Sequence, residues 1–210
     1  MTETDPFGGT TYTITGTSQL LSLPYALHAK TVEETNFVTY EIGDFAHGGV
    51  VFYVEPCGTK GLVCARDDQS GIKGIRWYAG TSGYTRAKGD RPYAGKANTS
   101  IIIAAHVAIG DDGINYAARL CNELQVTEGG KTYGDWYLPS LEELILMAEN
   151  KAAIDATATA NDGSALSDGW YWSSTETDNI QQAWILDLYS ISHSAGDKNH
   201  THRVRAIRAF

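Results

Sequence analysis

The sequence predicts an α+β fold, with several short antiparallel strands, two helices and long loops around one core. Three observations carry that reading. Short runs of β-branched and aromatic residues recur between breaks rich in Gly, Pro, Asn and Asp. Two stretches place apolar residues at helical spacing. The chain holds 22 Gly, 12 Tyr and 5 Trp with only 20% charged residues, the profile of a compact fold with many turns and few long surface helices. At 210 residues there is enough chain for one well-buried domain and an appendage, and too little for two domains of average size.

The appendage comprises residues 1–41. Residues 10–15 alternate like a strand, 16–18 form a turn, and 19–30 are apolar with a break at Pro24, as an early helix turn or an extended arm. Leu20, Leu21, Leu23, Tyr25 and Leu27 have no second core-forming segment nearby. They are expected to pack on the main domain or between copies of a homo-oligomer.

The main domain, 42–210, opens with two β-rich runs, 50–54 and 61–65, separated by Pro56, Gly58 and Gly61, which signals a hairpin. Residues 66–100 mix Gly, Asp, Ser and Thr with Trp77, Tyr78, Tyr84 and Tyr93, and read as long irregular loops pinned by aromatics. Over 114–124, Tyr116, Ala117, Leu120, Cys121 and Leu124 repeat at helical spacing after an Asp111-Asp112 start. A second helix covers 141–150. Ser140 is its N-cap and Glu143 stands three residues on, as in a capping box. Leu141, Leu144, Ile145 and Ala148 make the buried stripe, with Glu142, Glu143 and Glu149 facing outward or complementing the helix N-terminus. Residues 151–169 read as a loose surface connection, whereas 171–176 and 203–210 are sheet-forming blocks.

Charge and cysteine content narrow the function. A net charge of -9 and a pI near 5.0 argue against nucleic acid as a partner, because phosphate binding draws on clustered Lys and Arg. No apolar run approaches the roughly 18 residues of a membrane span, so no membrane insertion is expected. The first residues lack the basic and apolar regions of a signal peptide, which leaves a chain carried on a virion or a fragment of a longer exported protein. Cys57, Cys64 and Cys121 make an odd count: Cys57 and Cys64 either bridge the hairpin or stay as free thiols.

Between the two terminal sheet blocks, residues 177–202 are dominated by small polar, histidyl and tyrosyl side chains. Tyr offers contact area at low entropy cost, and Ser, Asn and Gly offer adaptable hydrogen bonding, so the mixture suits a surface that touches a partner. His193, His200 and His202 invite a metal reading, but no carboxylate or Cys completes a ligand set at familiar spacing. No metal and no cofactor is therefore expected. Trp77, Trp136, Trp170, Trp172 and Trp184 fit core positions better than sugar-stacking platforms.

Particular blocks sharpen the fold. Residues 43–54, Gly134-Asp135-Trp136-Tyr137-Leu138-Pro139-Ser140 running into 141–144, Tyr171-Trp172-Ser173-Ser174-Thr175-Glu176, Ala183-Trp184, and Arg203-Val204-Arg205-Ala206-Ile207-Arg208 occur in a specific order. Together they resemble the C-type lectin-like domain related to formylglycine-generating enzyme, as found in variable proteins of diversity-generating retroelements and at the tips of bacterial collagen-like adhesins. The resemblance covers about 42–210. Residues 16–30 also resemble the neck before the tip domain of phage tail fibres, which are generally trimeric.

The resemblance implies a C-type lectin-like fold whose segment 177–202 is rewritten by adenine-directed mutagenesis of Asn codons. Thr177, Asp178, Asn179, Ile180, Ile185, Asp187, Tyr189, Ser190, Ser192, His193, Ser194, Asp197, Asn199, His200, Thr201 and His202 are all reachable that way, and they are the expected ligand-binding residues. Gln, Glu, Lys, Met and Trp are not reachable. Leu186, Leu188 and Ile191 are more apolar than a solvated loop needs, and some are expected to face the core. The implied function is a receptor-binding tip, on a phage tail fibre or cell-surface adhesin, recognising protein or glycan on a target cell. A fixed-specificity adhesin or glycan-binding module is the alternative, followed by a mainly structural fibre component. The enzymatic relatives rely on reactive cysteines in the C-terminal half, whereas here Cys57 and Cys64 belong to the hairpin and Cys121 to the apolar stripe of the first helix, so no enzyme activity is expected.

Overall fold

The computed structural model describes residues 37–210, and the expected neck and oligomerisation segment lies outside them up to residue 36. Residues Val38–Phe210 form one compact unit. Its strands are β1 (Phe45–Ala46), β2 (Gly49–Val54), β3 (Gly61–Cys64), β4 (Val126–Glu128), β5 (Lys131–Tyr133), β6 (Trp170–Glu176), β7 (Gln182–Asp187), β8 (Ser192–Asp197) and β9 (Ile207–Ala209). Its helices are α1 (Ala94–Ile109), α2 (Ala117–Asn122), α3 (Leu141–Glu149) and α4 (Lys151–Ala160). The arrangement is the α+β type expected, with three antiparallel sheets ordered β1-β2-β3-β9, β4-β5 and β6-β7-β8.

Two apolar clusters lie on opposite sides of the strands. Val51, Val63, Trp172 and Ile185 belong to one, and Val50, Phe52, Leu62, Cys64, Tyr171 and Leu186 to the other. Neighbouring residues point to opposite faces of a strand, so both faces of β2, β3, β6 and β7 are covered. That is why β2 and β3 read as continuous apolar runs rather than alternating ones.

Helix α3 begins as expected. Ser140 Oγ accepts the Glu143 N–H, and the Glu143 carboxylate accepts the Ser140 N–H at 2.7 Å. Glu143 does more than close this box: it also accepts the backbone N–H groups of Tyr93 (2.7 Å) and Gly95 (3.1 Å), and so holds the start of α1, which has no side-chain cap of its own. It is therefore buried, not outward-facing. Gly95 permits the approach, since a Cβ there would lie 2.4 Å from Glu143 Oε2.

Several expectations are corrected. Residues 66–100 are not loop throughout, because α1 starts at Ala94; its buried side includes Gly95, Asn98 and Thr99, polar residues that no apolar pattern reveals. The stretch after 150 is the helix α4 for ten residues, packed through Ile154 and Ala158. The helix expected over 114–124 shortens to Ala117–Asn122. The described residues thus hold four helices where two were expected. The terminal block is regular strand only at Ile207–Ala209, with Arg203 bridging Tyr171 in parallel. All three cysteines are free, with Cys57 exposed and Cys64 and Cys121 buried.

Candidate ligand-binding site

The candidate site is built on the sheet β6-β7-β8. Strand β6 is buried along nearly its whole length, and β7 is pinned between both apolar clusters. Strand β8 hangs on β7 through six consecutive pairs, Gln182↔Asp197 to Asp187↔Ser192, without a bulge. The alternation places Ser192, Ser194 and Gly196 on the Trp172 side, and His193 and Ala195 on the Trp184 side. Gly196 is required there, because a Cβ would meet Ile185 Cγ2 at 2.9 Å and Trp172 at 3.0 Å.

The expected contact residues separate by position. Asp178, Asn179, Ile180, Tyr189, Ser190, Ser192, His193, Ser194, Asn199, His200 and Thr201 are exposed, Tyr189 by 80%. Asp187, Asp197 and His202 are half-buried. Two are corrected to frame positions. Thr177 is buried with its hydroxyl bonded to Gln182 O at 3.0 Å, and Ile185 is buried against Trp172. Leu186 and Leu188 face the core, whereas Ile191 is exposed, in a left-handed conformation at the β7–β8 turn.

The exposed residues do not converge on one pocket. Tyr189 and Ser190 occupy the β7–β8 turn, whose backbone N–H groups Asp187 accepts. Asp178 lies at the opposite end of β7, held by Lys88 Nζ at 2.8 Å. On one sheet face His193 meets Trp184 edge-on, ring centroids 5.3 Å apart. Elsewhere, Thr201 and His202 line a cleft of ≈ 220 Å³ with Ile72, Lys73, Trp170 and Arg203. A smaller polar cleft joins Asp197 and Asn199 to Tyr78, Ser82 and Gln181.

Sequence reasoning missed Lys198. Its ammonium is enclosed 2.6 Å from Glu176 Oε1, donates to Gly83 O and Ile180 O, and sits 4.7 Å over the Trp77 ring. Burial acts to raise the Glu176 carboxyl, but the Lys198 hydrogen bond and the N–H groups of Thr85 and Arg86 outweigh it and hold it below the ordinary carboxylate range. Lys73, Tyr78, Ser82 and Lys88 were also missed as neighbours of the segment. The length of the 66–93 loops was the available signal, since long loops on a rigid frame tend to carry contacts. Trp77, Trp136 and Trp172 are core, while Trp170 and Trp184 are half-buried beside the exposed residues.

The profile of the Lcl C-terminal domain family matches residues 67–208, most of the compact unit. The chain belongs to that family. The Lcl C-terminal domain is a C-type lectin-like domain of the retroelement variable-protein type, and the strand and helix arrangement above fits that fold. It is a binding domain rather than an enzyme family. Burial pushes the Cys64 thiol up to about 12 and that of Cys121 upward as well, whereas the exposed Cys57 thiol is lowered by the hydrogen bond it accepts from the Thr59 hydroxyl. A search of curated proteins found no match. No helix among the described residues is long and apolar enough to cross a membrane.

Proposed function

We propose that this Lcl C-terminal domain is a receptor-binding tip whose segment 177–202 displays a diversified surface to a protein or glycan on a target cell. One observation carries the reading. Within that segment, the residues closed to adenine changes in an Asn codon are Gln181, Gln182, Trp184 and Lys198. Lys198 is buried, Gln182 and Trp184 are half-buried, and the Gln181 carbonyl accepts the Lys198 N–H at 2.8 Å. Gln182, Trp184 and Lys198 hold the frame, Gln181 joins it through its backbone while its side chain is exposed, and every other exposed residue of the segment is reachable. The setting would be extracellular, on a fibre tip or cell surface. Leu20, Leu21, Leu23, Tyr25 and Leu27 would join copies, most simply as a trimer.

The deciding experiment moves residues 177–202 onto another Lcl C-terminal domain and measures which cells it then binds. Transfer of cell specificity is the expected result. Specificity that stays with the recipient, or that maps to residues 66–100, overturns the proposal. A fixed-specificity glycan-binding module is favoured by the Trp170 cleft, where an indole stands beside Thr201, His202 and Arg203. A near-duplicate, Asn-codon-rich copy of the coding segment beside a reverse transcriptase gene separates diversification from fixed specificity.

A further inference from the structure

Strand β8 is the outer strand of its sheet, and its unoccupied side carries a specific set of main-chain groups. The Lys198 N–H donates to Gln181 O at 2.8 Å, which fixes the phase of the ladder. Ser192, Ser194 and Gly196 therefore spend their N–H and C=O groups on β7, while those of His193 and Ala195 point away from it. None of these four groups has a hydrogen-bond partner among the described residues. Residues Ser192, His193, Ser194 and Ala195 are all exposed.

Edge strands are ordinarily protected by charged side chains, proline, a bulge or extreme shortness. The other edges are short, charged or covered: β1 has two residues, the β4–β5 hairpin carries Glu128 and Lys131, β9 is bridged by Tyr137, and β6 is bridged at Tyr171 by Arg203. Strand β8 has no proline and no bulge, and its one charged residue is Asp197 at its very end. From Leu188 to Gly196 no residue is charged. An Asp stands at either end: Asp187, paired with Ser192, and Asp197, five residues further along β8 and about 17 Å away at the usual strand rise.

We infer that, within the binding reading above on which this rests, β8 pairs with an extended peptide strand of the partner protein. That strand has an uncharged centre and a basic residue toward each end. Two donors and two acceptors alternating along an edge match another main chain better than they match sugar hydroxyls. The two carboxylates complement the flanking cations, and the small Ser and Ala side chains leave room for the added strand. The partner's side chains would then fall alternately on the Trp184–His193 face and the Ser194 face.

The test uses the full chain and a displayed library of linear peptides, Lys followed by four random residues and Lys, counter-selected on Ala195→Pro. Proline at 195 deletes an outward N–H without touching the β7 ladder. Enriched peptides are expected to lose at least tenfold in affinity on Ala195→Pro and on N-methylation of alternate peptide residues, and to keep it on Ala195→Ser. They should also slow hydrogen exchange at the His193 and Ala195 amides of the wild-type chain. If Ala195→Pro does not fold, the peptide N-methylation and exchange measurements decide alone. The inference is overturned if no peptide enriches, if N-methylation changes nothing, or if the two amides are instead protected by self-association as chain concentration rises. Specificity that still transfers with 177–202 in any of those cases leaves the binding reading standing and removes only the strand pairing.

Discussion

Lys198 Nζ lies 2.6 Å from Glu176 Oε1 in the interior, joining the last frame residue of β6 to the residue directly after β8. Glu176 in turn accepts the N–H groups of Thr85 and Arg86, so one ion pair ties the 80s loop, β6 and the end of the exposed segment together. Buried pairs of this kind add little net stability, but removing one partner strands a charge.

Lys198→Met should therefore cost about 3–5 kcal/mol, and adding Glu176→Gln should return part of the loss by removing the stranded carboxylate. Urea unfolding of the single and double variants checks this. A loss under about 1 kcal/mol in the single variant contradicts it.

Exchange of Asp178, Asn179, Tyr189, His193, Asn199 and His200 together should shift stability little, because exposed substitutions usually stay within about 0.5 kcal/mol each. Trp172→Ala, in contrast, empties a fully buried site and should cost about 3–5 kcal/mol. Calorimetry on both variants gives the comparison, and the reverse order refutes the division into frame and display.

Gly196→Val is expected to destabilise by about 1–3 kcal/mol, since the new side chain enters the contact between Ile185 and Trp172. Ser194→Val, one register step away and exposed, should be nearly neutral. Equal melting temperatures for the two variants would show that β8 can shift to accept the added atoms.

Acid should weaken the fold through its enclosed histidines. Burial, chiefly, lowers His47, His106 and His202, with Arg208, Lys198 and His200 respectively adding repulsion. The unfolded chain then takes up protons near pH 6.5 while the folded chain resists. Stability is full above that value and is lost as pH falls toward the depressed values, by up to about 1.4 kcal/mol per pH unit for each histidine. Both ring nitrogens of His106 lack a hydrogen-bond partner, so His106→Leu should flatten the acid slope and leave neutral stability unchanged or higher. Thermal unfolding between pH 5 and 8 reads both effects.

Tyr189→Ala should weaken binding to the target by about 2 kcal/mol, because interface energy concentrates in aromatic anchors. Single Ala changes at Ser190 and Ser192 should cost under about 1 kcal/mol. Titration against the cells identified by the transfer experiment measures this, and a flat profile across these positions refutes it.

Local signals carried much of the fold. The Ser140–Glu143 box, the hairpin around Gly58 and Gly61, and the Trp172 core position were legible because each depends on neighbours in sequence or on bulk. Helix α1 was not, because Gly95, Asn98 and Thr99 face inward to bond with partners as distant as Leu138, Glu143 and Ser174. Helix α4 was hidden by composition, since only Ile154 and Ala158 are buried. In the site, Thr177 and Ile185 have side chains that also suit a contact surface, and only the pairing of β7 decides that they turn inward. Lys198 likewise reads as one more polar residue until Glu176 is placed beside it.

Lys88 lies far ahead of the segment proposed to vary, yet its ammonium reaches the Thr177 carbonyl and the Asp178 carboxylate. An exposed pair of this kind favours its own geometry by under about 1 kcal/mol, too little to notice in one protein. If the segment is rewritten as proposed, this pair would act as a standing bias across a lineage of descendants. An acidic codon at 178 inherits a waiting partner, and a basic one inherits a competitor. The frequency of Asp at that position among sister chains would then record an ancestry written elsewhere in the sequence.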